Sequence, residues 1–140
     1  VCATMGGEIM TKSEIERAVA SVVERYHREQ QGHGPSYVQA HLVENMILVR
    51  CQGVFTPTEV SLTQSEEGRK AVQSARRELR ALTRRQIEAQ VAKAIGTGVS
   101  RSYYDLDVRL AEQVEVYMLE EHLESRLQFE RLGLAHELAL

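Results

Sequence analysis

The stretch YVQAHLVENMILVRCQ, residues 37–52, contains two runs of alternating character separated by Glu44 and Asn45. Asparagine tolerates the positive φ of a tight turn, so this pattern predicts a β-hairpin. If the residues that flank the turn pair, one side of the hairpin is wholly apolar, with Leu42 facing Ile47, Ala40 facing Val49 and Val38 facing Cys51. We therefore expect Cys51 in the core, where cysteine acts as a small hydrophobe.

The opposite side of this hairpin mixes apolar and polar residues. It carries Tyr37, Gln39, His41 and Val43 facing Met46, Leu48, Arg50 and Gln52. This composition is too polar for a deep core and too apolar for a purely solvated surface. We expect a partner, such as a second copy of the chain, to cover it.

Capping signals mark the helices on either side of the hairpin. Ser13 with Glu16 forms a predicted capping box that begins a helix, and the GHGP segment at residues 32–35 ends it. The tetrad TPTE at residues 56–59 has threonine at the N-cap, proline at the first helical position and glutamate at the third. It therefore predicts a helix start rather than an active-site loop.

A longer helix is predicted from Ser65 to Gly96, with an apolar face that changes direction. One stripe holds Val72, Ala75, Leu79 and Leu82, and a second, rotated by roughly a third of a turn, holds Ile87, Val91, Ala94 and Ile95. A straight helix would not bury both stripes against one sheet. We therefore expect a kink or break between Thr83 and Gln86.

A second strand pair is predicted at residues 99–108 and 113–119. The element order α-β-β-α-α-β-β indicates an α+β fold in two layers, an antiparallel sheet of two β-hairpins with helices on one face. We expect residues 1–11 to be a flexible leader and residues 12–121 a single domain. Residues 122–140 are expected to form a helical C-terminal tail that docks on this or a neighbouring subunit.

Composition excludes several classes of function. The 17 basic and 20 acidic residues give a net charge of −3, and aromatic residues make up only 5%, which argues against nucleic-acid binding. The two cysteines form no disulfide framework, as is typical of a reducing cytoplasm. No apolar run approaches the ~18 residues that span a bilayer. We expect a cytoplasmic protein without a transmembrane segment.

Motifs for metal, nucleophilic or phosphate chemistry are weak. The histidines lack the spacing of a zinc site, so neither a metal nor another cofactor is expected. Cys51 and His41 point to opposite faces of the hairpin, which argues against a Cys/His nucleophile. The GTG at residues 96–98 precedes a strand rather than a helix, the wrong order for a phosphate loop. We favour a protein without catalytic activity.

A basic stripe is the most unusual local feature. It contains Arg69, Arg76, Arg80 and Arg84, with Arg77 beside it. Most of these residues lack an acidic partner three or four positions away on the same helix face. The stripe would suit an acidic protein or an anionic lipid surface. A solvated face is the interpretation that we favour.

A small acidic site is a further possibility on the second strand pair. Asp105 and Asp107 lie on one side of a strand, with Glu112 at the adjoining turn. A sheet edge protected by charge is the simpler interpretation. The alternative is a small ligand-binding or enzymatic domain whose pocket is formed by Asp105, Glu66 and Arg69.

Three segments together resemble a known family: GHGPSYVQAHLVENMILVRCQGVFTPTE, LTQSEEGRKAVQSARREL and YYDLDVRLAEQVEVYMLEE. They are similar to the Mps C-like domain family, typified by the soluble C component of a sodium-translocating, membrane-potential-generating system, over roughly residues 12–121. The matching structural positions are Gly32, Gly34, Pro35, Asn45, Met46, Arg50, Thr56, Pro57, Glu59 and Gly68. Glu66, Arg69 and Asp105 match as well, and no catalytic residues are carried over.

The resemblance implies an accessory protein that acts with membrane partners, namely a cation-translocating subunit and a subunit linked to inorganic carbon uptake. Our hypothesis is a non-enzymatic cytoplasmic interaction module that associates with or regulates such a cation-translocation or inorganic-carbon uptake complex. It would be a homo-oligomer, a dimer in the simplest case, peripheral to the inner face of the membrane. The candidate partner-binding or ligand-binding residues are Glu66, Arg69, Arg76, Arg80, Arg84 and Asp105.

Overall fold

A computed structural model of the chain describes residues 4–5 and 8–131, with side chains described for residues 10–127. The elements are β1 (Thr4–Met5), β2 (Glu8–Ile9), α1 (Lys12–Gln31), β3 (Tyr37–Val43), β4 (Met46–Gln52), α2 (Pro57–Leu62), α3 (Glu66–Ile95), β5 (Val99–Asp107), β6 (Glu112–Leu119) and α4 (Leu123–Arg131). From α1 to β6 the order is the predicted α-β-β-α-α-β-β. Parts of the expected leader and tail, residues 1–3, 6–7 and 132–140, lie outside the described residues.

The two predicted hairpins join in one antiparallel sheet of strand order β3-β4-β6-β5. The first hairpin has the predicted register, with Val43 opposite Met46 and Val38 opposite Cys51. Cys51 is fully buried, as expected. The residue with positive φ in the turn is Glu44, at 57°, rather than Asn45. The Asn45 carbonyl instead accepts a hydrogen bond from the Leu119 amide, which ties the turn to the end of β6.

Helix α1 begins two residues earlier than the sequence predicts. Its N-cap is Thr11, and Glu14 completes the capping box, so the predicted box of Ser13 and Glu16 is wrong. The Glu16 carboxylate accepts a hydrogen bond from the Leu42 amide at 2.8 Å instead, which joins α1 to β3. The helix ends at Gly32, whose φ of 68° is the expected left-handed cap.

Helix α2 begins as predicted, with Thr56 as N-cap, Pro57 at the first position and Glu59 closing the capping box. Three residues after it ends, α3 begins at an N-cap formed by Ser65. Gly68 is buried at this junction, and a Cβ there would lie 1.7 Å from the Leu62 carbonyl oxygen. A side chain at this position would therefore force the two helices apart.

Helix α3 is continuous over 30 residues, so of the kink or break predicted between Thr83 and Gln86 the break is wrong. Leu82, assigned to the first apolar stripe, is 74% exposed. A single buried stripe runs the length of the helix and consists of Gly68, Val72, Arg76, Ile87, Val91 and Ile95. The face seemed to change direction because two arginines, Arg76 and Arg80, occupy the core side where apolar residues were expected.

The core lies between the sheet and helices α1 and α3, which contact β3 and β5 respectively and each other. After β6 the chain folds back, and Leu123 at the start of α4 is fully buried. The Glu124 amide donates to the Glu44 carbonyl, so α4 docks beside the turn of the first hairpin. Within the described residues, no helix is long and apolar enough to cross a membrane.

Candidate functional site

The basic stripe on α3 turns into the protein rather than toward solvent. Arg76 is only 4% exposed and Arg80 is largely buried, whereas Arg84 is exposed and Arg69 lies between these extremes. The interpretation of the stripe as a solvated face is therefore wrong for Arg76 and Arg80. Both find acidic partners on other elements, which the search along the helix itself did not reveal.

Arg76 links α3 to the start of α2. Its Nε donates to the Glu59 carboxylate at 2.7 Å, and its second guanidinium nitrogen donates to the Val54 carbonyl at 2.6 Å. The guanidinium lies 5.4 Å from the centre of the Phe55 ring, within cation–π range. Burial alone would raise the pKa of Glu59, but the bonds from Arg76 and from Thr56 outweigh burial and lower it.

Arg80 forms the centre of a second, deeper group. It is ion-paired with Glu115 on β6 and donates to the Ser102 hydroxyl at 3.3 Å, and Ser102 donates in turn to Glu88. Its guanidinium also lies 5.4 Å from the centre of the Tyr104 ring. A charge at this depth is tolerated because it is paired with Glu115 and also hydrogen-bonded to Ser102.

Glu115 is fully buried and collects contacts from several elements. Its carboxylate accepts hydrogen bonds from Tyr117, from Arg80 and from the Gln113 amide, the last at 3.0 Å. Burial would raise its pKa, but the Arg80 charge and the hydrogen bonds from Tyr117 and Arg80 hold the pKa below the ordinary value. Glu115 is therefore a stable carboxylate inside the core.

His27 and Cys51 approach Glu115 from the opposite side to Arg80. The His27 Nε2 atom and the Cys51 Sγ atom each lie 3.9 Å from Glu115 Oε2. Burial lowers the pKa of His27, which keeps the imidazole neutral, and burial together with the Glu115 charge raises the pKa of the Cys51 thiol. The three side chains are of the types that bind metal ions.

A small cavity of about 40 Å³ lies beside this cluster, between α1, α3 and the sheet. His27, Gln113 and Glu115 line its polar part, and Ile87 lines its apolar part. Gln30, which is exposed, lies at its rim, so the cavity reaches the surface near the end of α1. The volume is enough for a few water-sized groups and far too small for a drug-sized ligand.

The predicted pocket of Glu66, Arg69 and Asp105 exists only as a shallow open depression. All three residues line it. Glu66 lies 3.5 Å from Lys70, Arg69 donates to the Thr63 carbonyl at 3.0 Å, and Asp105 is strongly exposed. Asp107 on the same strand accepts hydrogen bonds from the amides of the following turn, residues 109 and 110. The depression is solvated rather than enclosed.

The remaining predicted positions have structural contacts. Gly34 and Pro35 lie in the connection between α1 and β3, and Arg50 projects from β4 toward Glu112, with Nε 2.8 Å from the carboxylate.

The pair of Arg50 and Glu112 belongs to the sheet face turned away from the helices, which we call the open face. The open face consists of four cross-strand rows: Val43-Met46-Met118-Arg101, His41-Leu48-Val116-Tyr103, Gln39-Arg50-Val114-Asp105 and Tyr37-Gln52-Glu112-Asp107.

The first two rows of the open face form a continuous apolar patch. Tyr103 is 53% exposed, Val43 43% and Leu48 39%, and Val116 between them is half-buried. The other two rows carry most of the polar and charged residues. The mixed side of the first hairpin, predicted on two strands, thus extends across all four strands.

The contact between His27, Cys51 and Glu115 was missed by sequence reasoning. These residues come from α1, β4 and β6, so no local spacing connects them. One signal was present: Glu115 and Tyr117 alternate with Val114, Val116 and Met118, so one set had to face the helices. To predict that the polar set faces the helices, one would have needed the order of the strands and the position of Arg80 as the partner of Glu115.

Comparisons with known proteins identify the family. The profile of the family described as "Na+-translocating membrane potential-generating system (MpsC)" matches residues 11–121. A protein of Bacillus subtilis (strain 168), named uncharacterized protein YbcI, is 27% identical over 118 residues, which cover 84% of this chain and 95% of the relative. No solved structure gives a significant match. The chain belongs to the MpsC family.

Proposed function

We propose that this member of the MpsC family is a non-enzymatic accessory protein of a membrane cation-translocation or inorganic-carbon uptake complex, and that it acts as a homodimer joined through the open face. The family description supplies the link to a membrane-potential-generating system. The apolar patch of the open face is the observation that carries the proposed mode of action. We place the protein in the cytoplasm, peripheral to the inner face of the membrane.

The apolar patch supports docking because it is contiguous. Leu48 and Val116 are directly opposed at the centre of the sheet, and Met46 and Met118 continue the patch in the next row. Exposed apolar patches of this kind mark interaction surfaces on proteins in water. Two sheets pack readily face to face at about 10 Å with their side chains interdigitated.

A second copy of the chain fits the charges on this face. Arg101 stands at one end of β5, whereas Asp105 and Asp107 stand at the other end. A two-fold axis between the two faces, running across the strands at the level of Leu48 and Val116, packs that row on its counterpart and brings Arg101 of one copy over Asp105 of the other. Such a self-complementary arrangement is what a two-fold dimer interface requires.

The helix side of the sheet supports a structural role for the buried arginines. Arg76 and Arg80 are occupied by Glu59 and Glu115, and their guanidinium groups are enclosed by aromatic rings. They are therefore poorly placed to receive an acidic partner from outside. Our proposal accordingly moves the partner surface from the basic stripe to the open face.

The test is capture of the affinity-tagged protein from the membrane fraction of its native cells after cross-linking. We expect the wild type to recover an untagged second copy together with an antiporter-like, cation-translocating membrane subunit. Leu48→Arg should lose the second copy, whereas Leu82→Arg, which alters an exposed leucine on α3, should retain it.

Two results would contradict the proposal. Recovery of the wild type without any cation-translocating membrane subunit would remove the link to the transport complex. Retention of the second copy by Leu48→Arg, at the wild-type level, would show that the open face is not the dimer interface.

A ligand-binding role at the depression of Glu66, Arg69 and Asp105 is the second candidate. The observation that favours it is that these three side chains do line one concave surface. It predicts a small charged compound that raises the melting temperature of the wild type and not that of Asp105→Asn. A thermal-shift screen without any such compound would contradict it.

A further inference from the structure

Three side chains of metal-ligating types meet in the core beside the cavity. Among the described residues, ligand atoms of His27, Cys51 and Glu115 all lie within 4.8 Å of one another. We propose that these three residues, with Gln113 as the fourth, form a binding site for one divalent cation of the zinc class. This proposal is independent of the function proposed above.

The distances are close to those of a tetrahedral site. Metal bonds of about 2.0 to 2.3 Å to nitrogen, oxygen and sulfur place neighbouring ligand atoms roughly 3.3 to 3.8 Å apart. His27 Nε2 and Cys51 Sγ each stand 3.9 Å from Glu115 Oε2. Contraction by well under 1 Å therefore brings each of these two atoms to the separation from Glu115 Oε2 that a shared metal ion requires.

Gln113 supplies the second observation that points to a ligand. Its Nε2 lies 2.8 Å from His27 Nε2 and 3.0 Å from Glu115 Oε2, so the amide nitrogen bridges two acceptors. Its Oε1 is buried and has no hydrogen-bond partner among the described residues. Rotation of the Gln113 amide when a cation enters exchanges the positions of Nε2 and Oε1. The oxygen then bonds to the cation and is no longer unsatisfied.

The donor set favours zinc over calcium or magnesium. One imidazole nitrogen, one thiolate sulfur and two oxygens suit a borderline-soft ion, whereas calcium and magnesium prefer oxygen ligands alone. Binding converts the Cys51 thiol to a thiolate, and its proton passes to the solvent. Arg80 pairs with the other oxygen of Glu115 and so orients the carboxylate, as outer-shell partners of metal ligands do.

The cavity provides a path for the ion. It is lined by His27, Gln113 and Glu115 and has Gln30 at its exposed rim. Helix α1 and strands β4 and β6 already hold the ligand atoms of His27, Cys51 and Glu115 within 4.8 Å of one another.

The test uses Co²⁺ as a spectroscopic probe and Zn²⁺ as its competitor, in the full chain with Cys2→Ser. Because the chain has two cysteines, Cys51 is then its sole thiol. We expect one Co²⁺ per chain, a thiolate-to-cobalt charge-transfer band in the near ultraviolet, and displacement of the cobalt by Zn²⁺. Absence of the band at saturating Co²⁺ would overturn the proposal. This test requires no substitution of a core residue.

Two variants in the same background localise the site. His27→Gln is expected to weaken cobalt binding by at least about tenfold. His41→Gln, on the opposite face of the sheet, should bind like its parent. Equal binding by His27→Gln and the parent would show that the cation sits elsewhere and would overturn the assignment. Circular dichroism before metal addition confirms that each variant is folded.

Discussion

On the two faces of the four-stranded sheet, polar side chains of β6 are buried and apolar ones are partly exposed, the reverse of what hydrophobicity alone predicts. On β6, the side chains that face the helices are Gln113, Glu115, Tyr117 and Leu119, all buried, whereas Val114, Val116 and Met118 point away and are only half-buried. The helix side is stable because its charges are paired with arginines from α3. The open face carries an apolar patch over two of its four rows without such a cover, which is why we assign it to a partner.

The comparison teaches that burial on this sheet follows from pairing as much as from polarity. A buried carboxylate is costly alone, but one that is ion-paired and fully hydrogen-bonded can occupy a core. An apolar side chain at a surface needs no such partner and tolerates partial exposure. Substitution of one residue on each face, compared with a matched residue elsewhere, tests this difference.

The largest effect is expected from Arg80→Leu. This change leaves Glu115 buried and unpaired, which should lower the free energy of unfolding by about 3 to 5 kcal/mol. The same substitution at exposed Arg84, on the same helix, should cost less than about 0.5 kcal/mol. Urea denaturation measures both values.

The double variant Arg80→Leu with Glu115→Gln removes both charges and should recover part of the loss. An Arg80→Leu protein that is as stable as Arg84→Leu would show that the ion pair of Arg80 and Glu115 does not stabilise the helix side of the sheet.

The two tyrosines provide a matched test of the faces. Tyr117 is buried and donates to Glu115, so Tyr117→Phe should cost about 1.5 to 3 kcal/mol, the usual value for a hydrogen bond to a charged group. Tyr103 on the open face accepts a hydrogen bond from Arg101 and is half exposed, so Tyr103→Phe should change stability by less than about 0.5 kcal/mol. Equal losses in thermal unfolding would contradict the asymmetry of the faces.

A smaller effect is expected from Glu59→Gln, and it depends on pH. The pKa of Glu59 in the folded protein lies below its ordinary value of 4.5, because Arg76 and Thr56 outweigh the effect of burial. Its contribution is therefore fully present above pH 4.5 and is lost as the pH falls through the folded-state pKa. The difference in stability between wild type and Glu59→Gln, below about 2 kcal/mol at pH 7, should shrink as the pH drops below 4.5. A difference that stays constant from pH 7 to pH 3 would contradict this assignment.

Local features of the fold could be predicted from the sequence because they depend on neighbouring residues. The hairpin register followed from the alternation around Glu44 and Asn45, and the start of α2 followed from Thr56, Pro57 and Glu59. The wrong N-cap of α1 has a local cause as well. Thr11-Glu14 and Ser13-Glu16 satisfy the same spacing rule, and the choice depends on Glu16 being drawn to the Leu42 amide.

The features that could not be predicted depend on contacts between distant elements. The continuous course of α3 was missed because Arg76 and Arg80 interrupt its apolar pattern, and their partners Glu59 and Glu115 lie on other elements. The cluster around Glu115 likewise joins α1, β4 and β6. A search limited to spacing along the chain therefore treated these arginines as surface charges and found no candidate metal ligands.

The smallest effect on folding, and the most direct test of the account, is expected from Val116→Arg at the centre of the open face. Sedimentation equilibrium should give the wild type and Leu82→Arg about twice the 15.8 kDa mass of one chain. Val116→Arg should sediment as a single chain while keeping its circular dichroism spectrum. A wild type that sediments as a single chain, or a Val116→Arg protein that remains dimeric, would contradict the assignment of the open face to a second copy.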